Sequence, residues 1–79
     1  ESSERTQMDR EWLYKALSRL PEQQREAILL FEISGFSIKE IAVLQESSES
    51  AIKQRLSRGR QQLLEQLQAF NLSITHLEP

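Results

Sequence analysis

The 79-residue chain contains no cysteine. That excludes a disulfide framework, a thiolate metal site and a cysteine nucleophile, and it fits a reducing compartment. Only two glycines and two prolines are present, which excludes collagen-like, linker and low-complexity classes. Valine occurs once, at Val43, and no segment alternates apolar and polar residues, so no strand is expected. The longest apolar run, Ala27 to Phe31, is far too short to span a membrane, and no signal peptide is visible. The single histidine, His76, stands alone near the C-terminus, so no metal site is expected. No carboxylate pair, phosphate loop or nucleophile with a neighbouring base can be picked out, so neither an enzyme nor a cofactor is expected. The chain opens on Glu1 rather than Met, and is expected to be cut from a longer protein.

What is present is globular. Apolar residues make up 38% and charged residues 28%, a mixture that folds rather than one that stays disordered. A chain of this length holds one core and buries about 60% of its unfolded surface. Its net charge is −2, which by itself argues weakly against nucleic acid. The distribution argues the other way. Residues 51–60 carry Lys53, Arg55, Arg58 and Arg60 and no acid. This is a local +4 on a remainder of −6, the electrostatic pattern of a basic stripe on an acidic body.

Apolar spacing predicts four helices in an all-α domain. The first runs from about Met8 to Arg19, with Leu13, Ala16, Leu17 and Leu20 at helical spacing and Trp12 beside them. Leu20-Pro21 interrupts it, since proline restrains the residue before it and suits the first turn of a new helix. In the second helix Ala27, Leu30, Phe31 and Ser34 share one side, and Gly35 fits the left-handed position past its end. Ser37-Ile38-Lys39-Glu40 reads as a capping box opening a short third helix, with Ile38, Ile41, Ala42 and Leu44 inward. It should end near Gln45. After the polar break Gln45 to Ser48, the longest helix is expected from about Glu49 to Gln68, capped by Ser47 or Ser48. Ile52, Leu56, Gly59, Leu63, Leu67 and Phe70 form its apolar seam. Leu63, Leu67 and Phe70 are expected to pack back on the first helix around Leu13 and Leu17. Trp12, Phe31 and Phe36 are expected in the core. Residues 1–8 read as a linker end, 9–70 as the domain and 71–79 as a tail.

Ser37 to Arg60 is the informative unit. A short capped helix, a tight polar turn and a longer helix with a basic outer face make a helix-turn-helix. At about 100° per residue, Ile52 and Leu56 mark the buried side of the longer helix. Ser50, Lys53, Gln54, Ser57 and Arg58 lie on the other side. All five donate hydrogen bonds and none is acidic. Lysine and arginine suit guanine edges or phosphates, and glutamine suits adenine edges. The helix start, with its candidate capping serines Ser47 and Ser48, offers backbone N–H groups to a phosphate.

Three segments together carry a resemblance: Ala16-Leu17-x-x-Leu20-Pro21-x-x-x-Arg25, Gly35-Phe36-Ser37-x-x-Glu40-Ile41-Ala42, and Ala51-Ile52-Lys53-x-Arg55-Leu56-x-Arg58-Gly59-Arg60. With these spacings the chain resembles region four of bacterial sigma factors of the extracytoplasmic-function type, over about residues 10–67 without a gap. The resemblance implies a four-helix, helix-turn-helix domain of a cytoplasmic transcription-initiation protein. It implies three partners: the −35 element of promoter DNA, the flap of the RNA polymerase β subunit, and an anti-sigma protein. By position it places DNA contacts on Ser48, Ser50, Lys53, Gln54, Arg55, Ser57 and Arg58. Arg55 and Arg60 sit on the flanks, where phosphate or acids of the body compete for them.

The chain departs from the family pattern at three places. Glu46 stands where glycine is usual in the turn, Ser50-Ala51 replaces Gly-Thr, and Gly59 replaces alanine, for which close helix packing is the simplest reason. Glu46 and Glu49 should repel phosphate. Two other readings remain open at this point: a sigma-like protein-interaction module that binds polymerase or an anti-sigma protein, and the DNA-binding effector domain of a response regulator.

Overall fold

The computed structural model describes the backbone of residues 11–77 and the side chains through Ala69. Four helices follow one another, and no strand occurs among the described residues. They are α1 (11–18), α2 (Glu22–Ile28, continuing as a wider π-type turn over Leu29–Ile33), α3 (Ile38–Leu44) and α4 (Glu49–Leu77).

Each boundary has a local cause. The Arg19 and Leu20 N–H groups close the end of α1 onto Ala16 and Leu17 carbonyls at 3.1 and 3.0 Å. Pro21 then caps α2 with φ −54° and ψ 147°. Its carbonyl accepts from Arg25 N–H at 2.9 Å. Gly35 ends the second helix at φ +79°, and Phe36 N–H reaches back to the Leu30 carbonyl at 2.9 Å, one residue farther than the usual six-to-one closure past a left-handed glycine, in keeping with the wider last turn. The Ser37 capping box is complete. Glu40 N–H donates to Ser37 Oγ at 3.0 Å, and Ser37 N–H donates to Glu40 Oε1 at 2.8 Å. Ser48 caps α4, its Oγ accepting from Ala51 N–H at 3.1 Å.

The core of the described residues is made of Ala16, Leu17, Leu20, Ala27, Ile28, Ile41, Ala42, Ile52 and Leu56, and no charged or polar residue among those described is buried beside them. Ile41 and Ile52 are wholly enclosed, and each contributes roughly 1.5–3 kcal/mol by leaving water. Ile41 lies on α3 and Ile52 on α4, so this pair fastens the two helices of the helix-turn-helix to each other and to α2.

Several sequence expectations need correction. Ile28, outside the expected stripe of α2, is buried, while Ser34 is exposed. Ile28 is buried where α4 comes close at Gly59, and the π-type turn that follows it takes Ser34 out of the stripe: Ser34 N–H bonds the Leu29 carbonyl five residues back at 3.0 Å. A wider turn rotates each residue less about the axis, so Leu29, Leu30 and Phe31 all lie half-buried against the core. Leu44 and Phe36, expected inward, are 56% and 37% exposed. The fourth helix continues past Gln68 to Leu77. Leu63 and Leu13 do pack on the core, but Leu67 is 38% exposed. The expectation for the Phe70 side chain and for residues 1–10 lies outside the described residues.

Candidate nucleic-acid interface

α4 is aimed by a polar clasp at the end of α3. Gln45, the C-terminal cap of α3, uses both ends of its amide. Its Nε2 donates to the Gln23 carbonyl at 3.2 Å and to Glu26 Oε1 at 3.0 Å, both on α2. Its Oε1 accepts from Arg55 Nη1 on α4 at 2.6 Å. One side chain therefore ties three helices together where the turn begins. Nothing in a linear pattern marks this glutamine; the nearest signal was its place at the expected end of α3.

The turn itself is strained. Glu46 has φ +51°, a left-handed conformation that costs a residue with a Cβ on the order of 1 kcal/mol. This is the position at which the resembled family usually carries glycine. The backbone thus adopts the shape glycine would favour, while the side chain adds an acid beside the start of α4. Glu46 and Glu49 flank a shallow depression with Lys39 and the end of α3.

The expected contact residues divide into two groups. Ser50, Lys53, Gln54, Ser57 and Arg58 are exposed, and none has a hydrogen-bond or ion-pair partner among the described residues. Ser48 is committed to its cap and Arg55 to the clasp, so both position α4 and neither is idle on the open face. Arg60 has also left that face. Its guanidinium meets Glu32 Oε2 at 2.7 Å and lies 5.5 Å from the centre of the Phe31 ring. Being half exposed, the ion pair adds little stability; it links α4 to the end of the second helix. Gly59 contributes the close approach: a Cβ at this position would run into the δ-methyl of Ile28.

The open face has a centre and two shoulders. On a helix of about 100° per residue, Ser50, Gln54 and Ser57 point most directly away from Ile52, Lys53 lies on one shoulder and Arg58 on the other. The Arg58 shoulder borders a cleft of about 240 Å³ between the start of α2 (Pro21, Gln23, Gln24) and α4 (Ala51, Gln54, Arg55, Arg58). Neutral donors in the middle with a cation to each side suit a groove whose walls are phosphate and whose floor is base edges. Among the described residues no group of three or more His, Cys, Asp or Glu side chains could hold a metal. No helix there is long and apolar enough to cross a membrane.

Comparison with known proteins locates the same segment. The family model described as Sigma-70, region 4 matches residues 10–63, which takes in the helix-turn-helix, the clasp and the whole open face. An ECF RNA polymerase sigma factor, EcfG, of Rhodopseudomonas palustris (strain TIE-1) is 42% identical over 48 residues. The matched stretch is 61% of this chain and 26% of that protein, so the chain spans only about a quarter of its relative's length.

Proposed function

The chain belongs to the Sigma-70, region 4 family, and from that premise we propose that it is the promoter-recognition domain of an alternative, extracytoplasmic-function sigma factor. It binds the −35 element in the major groove with the first three turns of α4 and acts by positioning RNA polymerase, not by catalysis. Residues Ser50, Gln54 and Ser57 meet base edges, Lys53 and Arg58 meet the two walls of the groove, and Ser48 and Arg55 hold the helix in place. The observation that carries this reading is the set of five exposed, unpartnered, acid-free hydrogen-bonding side chains on α4. The rest of the domain docks on the β flap, and an anti-sigma protein is the expected inhibitor; both details rest on the family resemblance, while the name of the relative supports RNA polymerase alone. The place of action is the cytoplasm, where promoter and polymerase are.

The test is transcription and promoter binding by the full-length protein assembled with core RNA polymerase. Gln54→Ala should shift sequence preference, since a good base contact contributes about 1–3 kcal/mol of discrimination. Arg58→Ala should weaken all sequences alike and lower the salt slope by about 1. The reading fails if the double variant Lys53→Ala, Arg58→Ala folds normally and still directs promoter-specific transcription at the wild-type level.

A further inference from the structure

The cleft beside Arg58 contains a side chain that the DNA-reading face does not explain. Gln24, on the first turn of α2, is half-buried, and its Oε1 is fully enclosed with no donor within hydrogen-bonding reach among the described residues. A buried acceptor without a donor is unfavourable, and native folds seldom keep one without a use. Methionine or leucine would fill the same space without that cost. Arg58, on the opposite wall of the same cleft, has the complementary deficiency. It is exposed, unpaired, and rich in donors that nothing engages. Gln54 completes the wall between Arg58 and the open face of α4.

We propose that Gln24 is a positioning residue for Arg58: when a DNA backbone phosphate reaches the mouth of the cleft, the Gln24 amide turns its Oε1 out toward Arg58, which donates one N–H to it and turns the others onto the phosphate. The inference rests on the DNA-binding reading and extends it to α2. The chemistry is balanced. A guanidinium has five N–H donors in a rigid fork, so it can serve an amide oxygen and a phosphate at once. The phosphate supplies only acceptors, and the amide oxygen supplies the second anchor that fixes the plane of the fork. Without DNA, Arg58 keeps its rotamer freedom in water. With DNA, the cost of ordering it is reduced because the second anchor is already in place on a helix.

The experiment is a double-mutant cycle on promoter binding by the full-length protein with core RNA polymerase, across a range of salt. Thermal unfolding is followed in parallel. Gln24→Met keeps the volume and removes the acceptor; Gln24→Glu keeps an acceptor at the same reach. Gln24→Met should weaken promoter binding about 3- to 10-fold in the wild-type background and have no further effect when combined with Arg58→Ala. Its unfolding midpoint should be unchanged or higher, because a lone buried oxygen has been removed. Gln24→Glu should preserve the coupling to Arg58. A methylphosphonate introduced at one phosphate at a time should reveal one position that hurts wild type and is silent in both Arg58→Ala and Gln24→Met. Equal loss from Gln24→Met with and without Arg58 would overturn the proposal, as would no loss at all. If Gln54→Ala still shifts sequence preference in the same assay, only this inference has failed. If wild type does not distinguish promoter from scrambled duplex, the DNA-binding reading has failed with it.

Discussion

α4 is one continuous helix with two unlike halves. From Glu49 to Arg60 its inner side is sealed by Ile52 and Leu56, 0% and 3% exposed, and by the buried Gly59, and its outer side is basic. From Gln61 to Leu77 the only charged residue is Glu65, and the seam loosens as it leaves the body. Leu63 still touches the core, whereas Leu64 and Leu67 are 48% and 38% exposed. Among the described residues the last tie toward α1 is polar: Gln66 Nε2 donates to the Ala16 carbonyl at 3.1 Å, and its Oε1 accepts from Arg19 Nη1 at 3.4 Å. Periodicity alone does not distinguish these halves, because an apolar seam records what a helix can bury and not whether a surface stands opposite to receive it.

Substitutions along the seam should reproduce that gradient. The largest effect is expected at Ile52. Ile52→Ala empties a fully enclosed site and should cost about 2–5 kcal/mol, enough to unfold much of a domain this small, as read by chemical denaturation of the isolated domain. A cost below about 1 kcal/mol would mean that the first half is no better packed than the second. Next comes Gly59. Alanine there improves helix propensity by about 1 kcal/mol but forces Ile28 to move, and overpacking of this kind typically costs about 1–3 kcal/mol. Gly59→Ala should therefore be neutral to destabilising in the wild-type background. Combined with Ile28→Val, which removes the δ-methyl, it should become stabilising. Additive behaviour of the pair would show that the close approach of α2 and α4 is not what excludes a Cβ. The smallest effect is expected at Leu67, where Leu67→Gln should change stability by no more than about 0.5 kcal/mol. A loss comparable to that at Ile52 would place a surface against the second half after all.

The same contrast separates what the amino-acid order discloses from what it hides. Ser37 with Glu40, Gly35, and Ser48 act on backbone groups a few residues away, so the capping box, the left-handed helix end and the start of α4 could all be read directly. The open face could be read too, since Ser50, Lys53, Gln54, Ser57 and Arg58 need only a helix and a buried opposite side. Arg55 and Arg60 could be placed on the flanks, but their partners, Gln45 and Glu32, lie 10 and 28 residues away, beyond any local rule. The π-type turn over Leu29–Ile33 shifts the residues after it out of simple 3.6-residue phase, so Ser34 leaves the stripe, whereas Ile28 is buried by the close approach of α4 at Gly59, which local spacing does not encode. Gly59 was marked as a tight contact, but its partner Ile28 is visible only in three dimensions. The length of α4 was underestimated because the spacing rule stopped where the recognisable seam stopped, while the backbone hydrogen bonds did not.

The clasp at Gln45 has a consequence for how such domains diverge. Its three bonds fix the bearing of α4 from α2, through the Gln23 carbonyl and the Glu26 carboxylate, without touching any side chain on the open face. A change at position 26 or 45 can thus swing the whole row from Ser50 to Arg58 across the groove while leaving every letter of that row intact. Two copies of a gene for this domain could drift to different promoters through substitutions that a comparison of their reading helices would score as identical. On the DNA-binding reading proposed above, specificity would be inherited partly as an angle, encoded by residues on the far side of the turn.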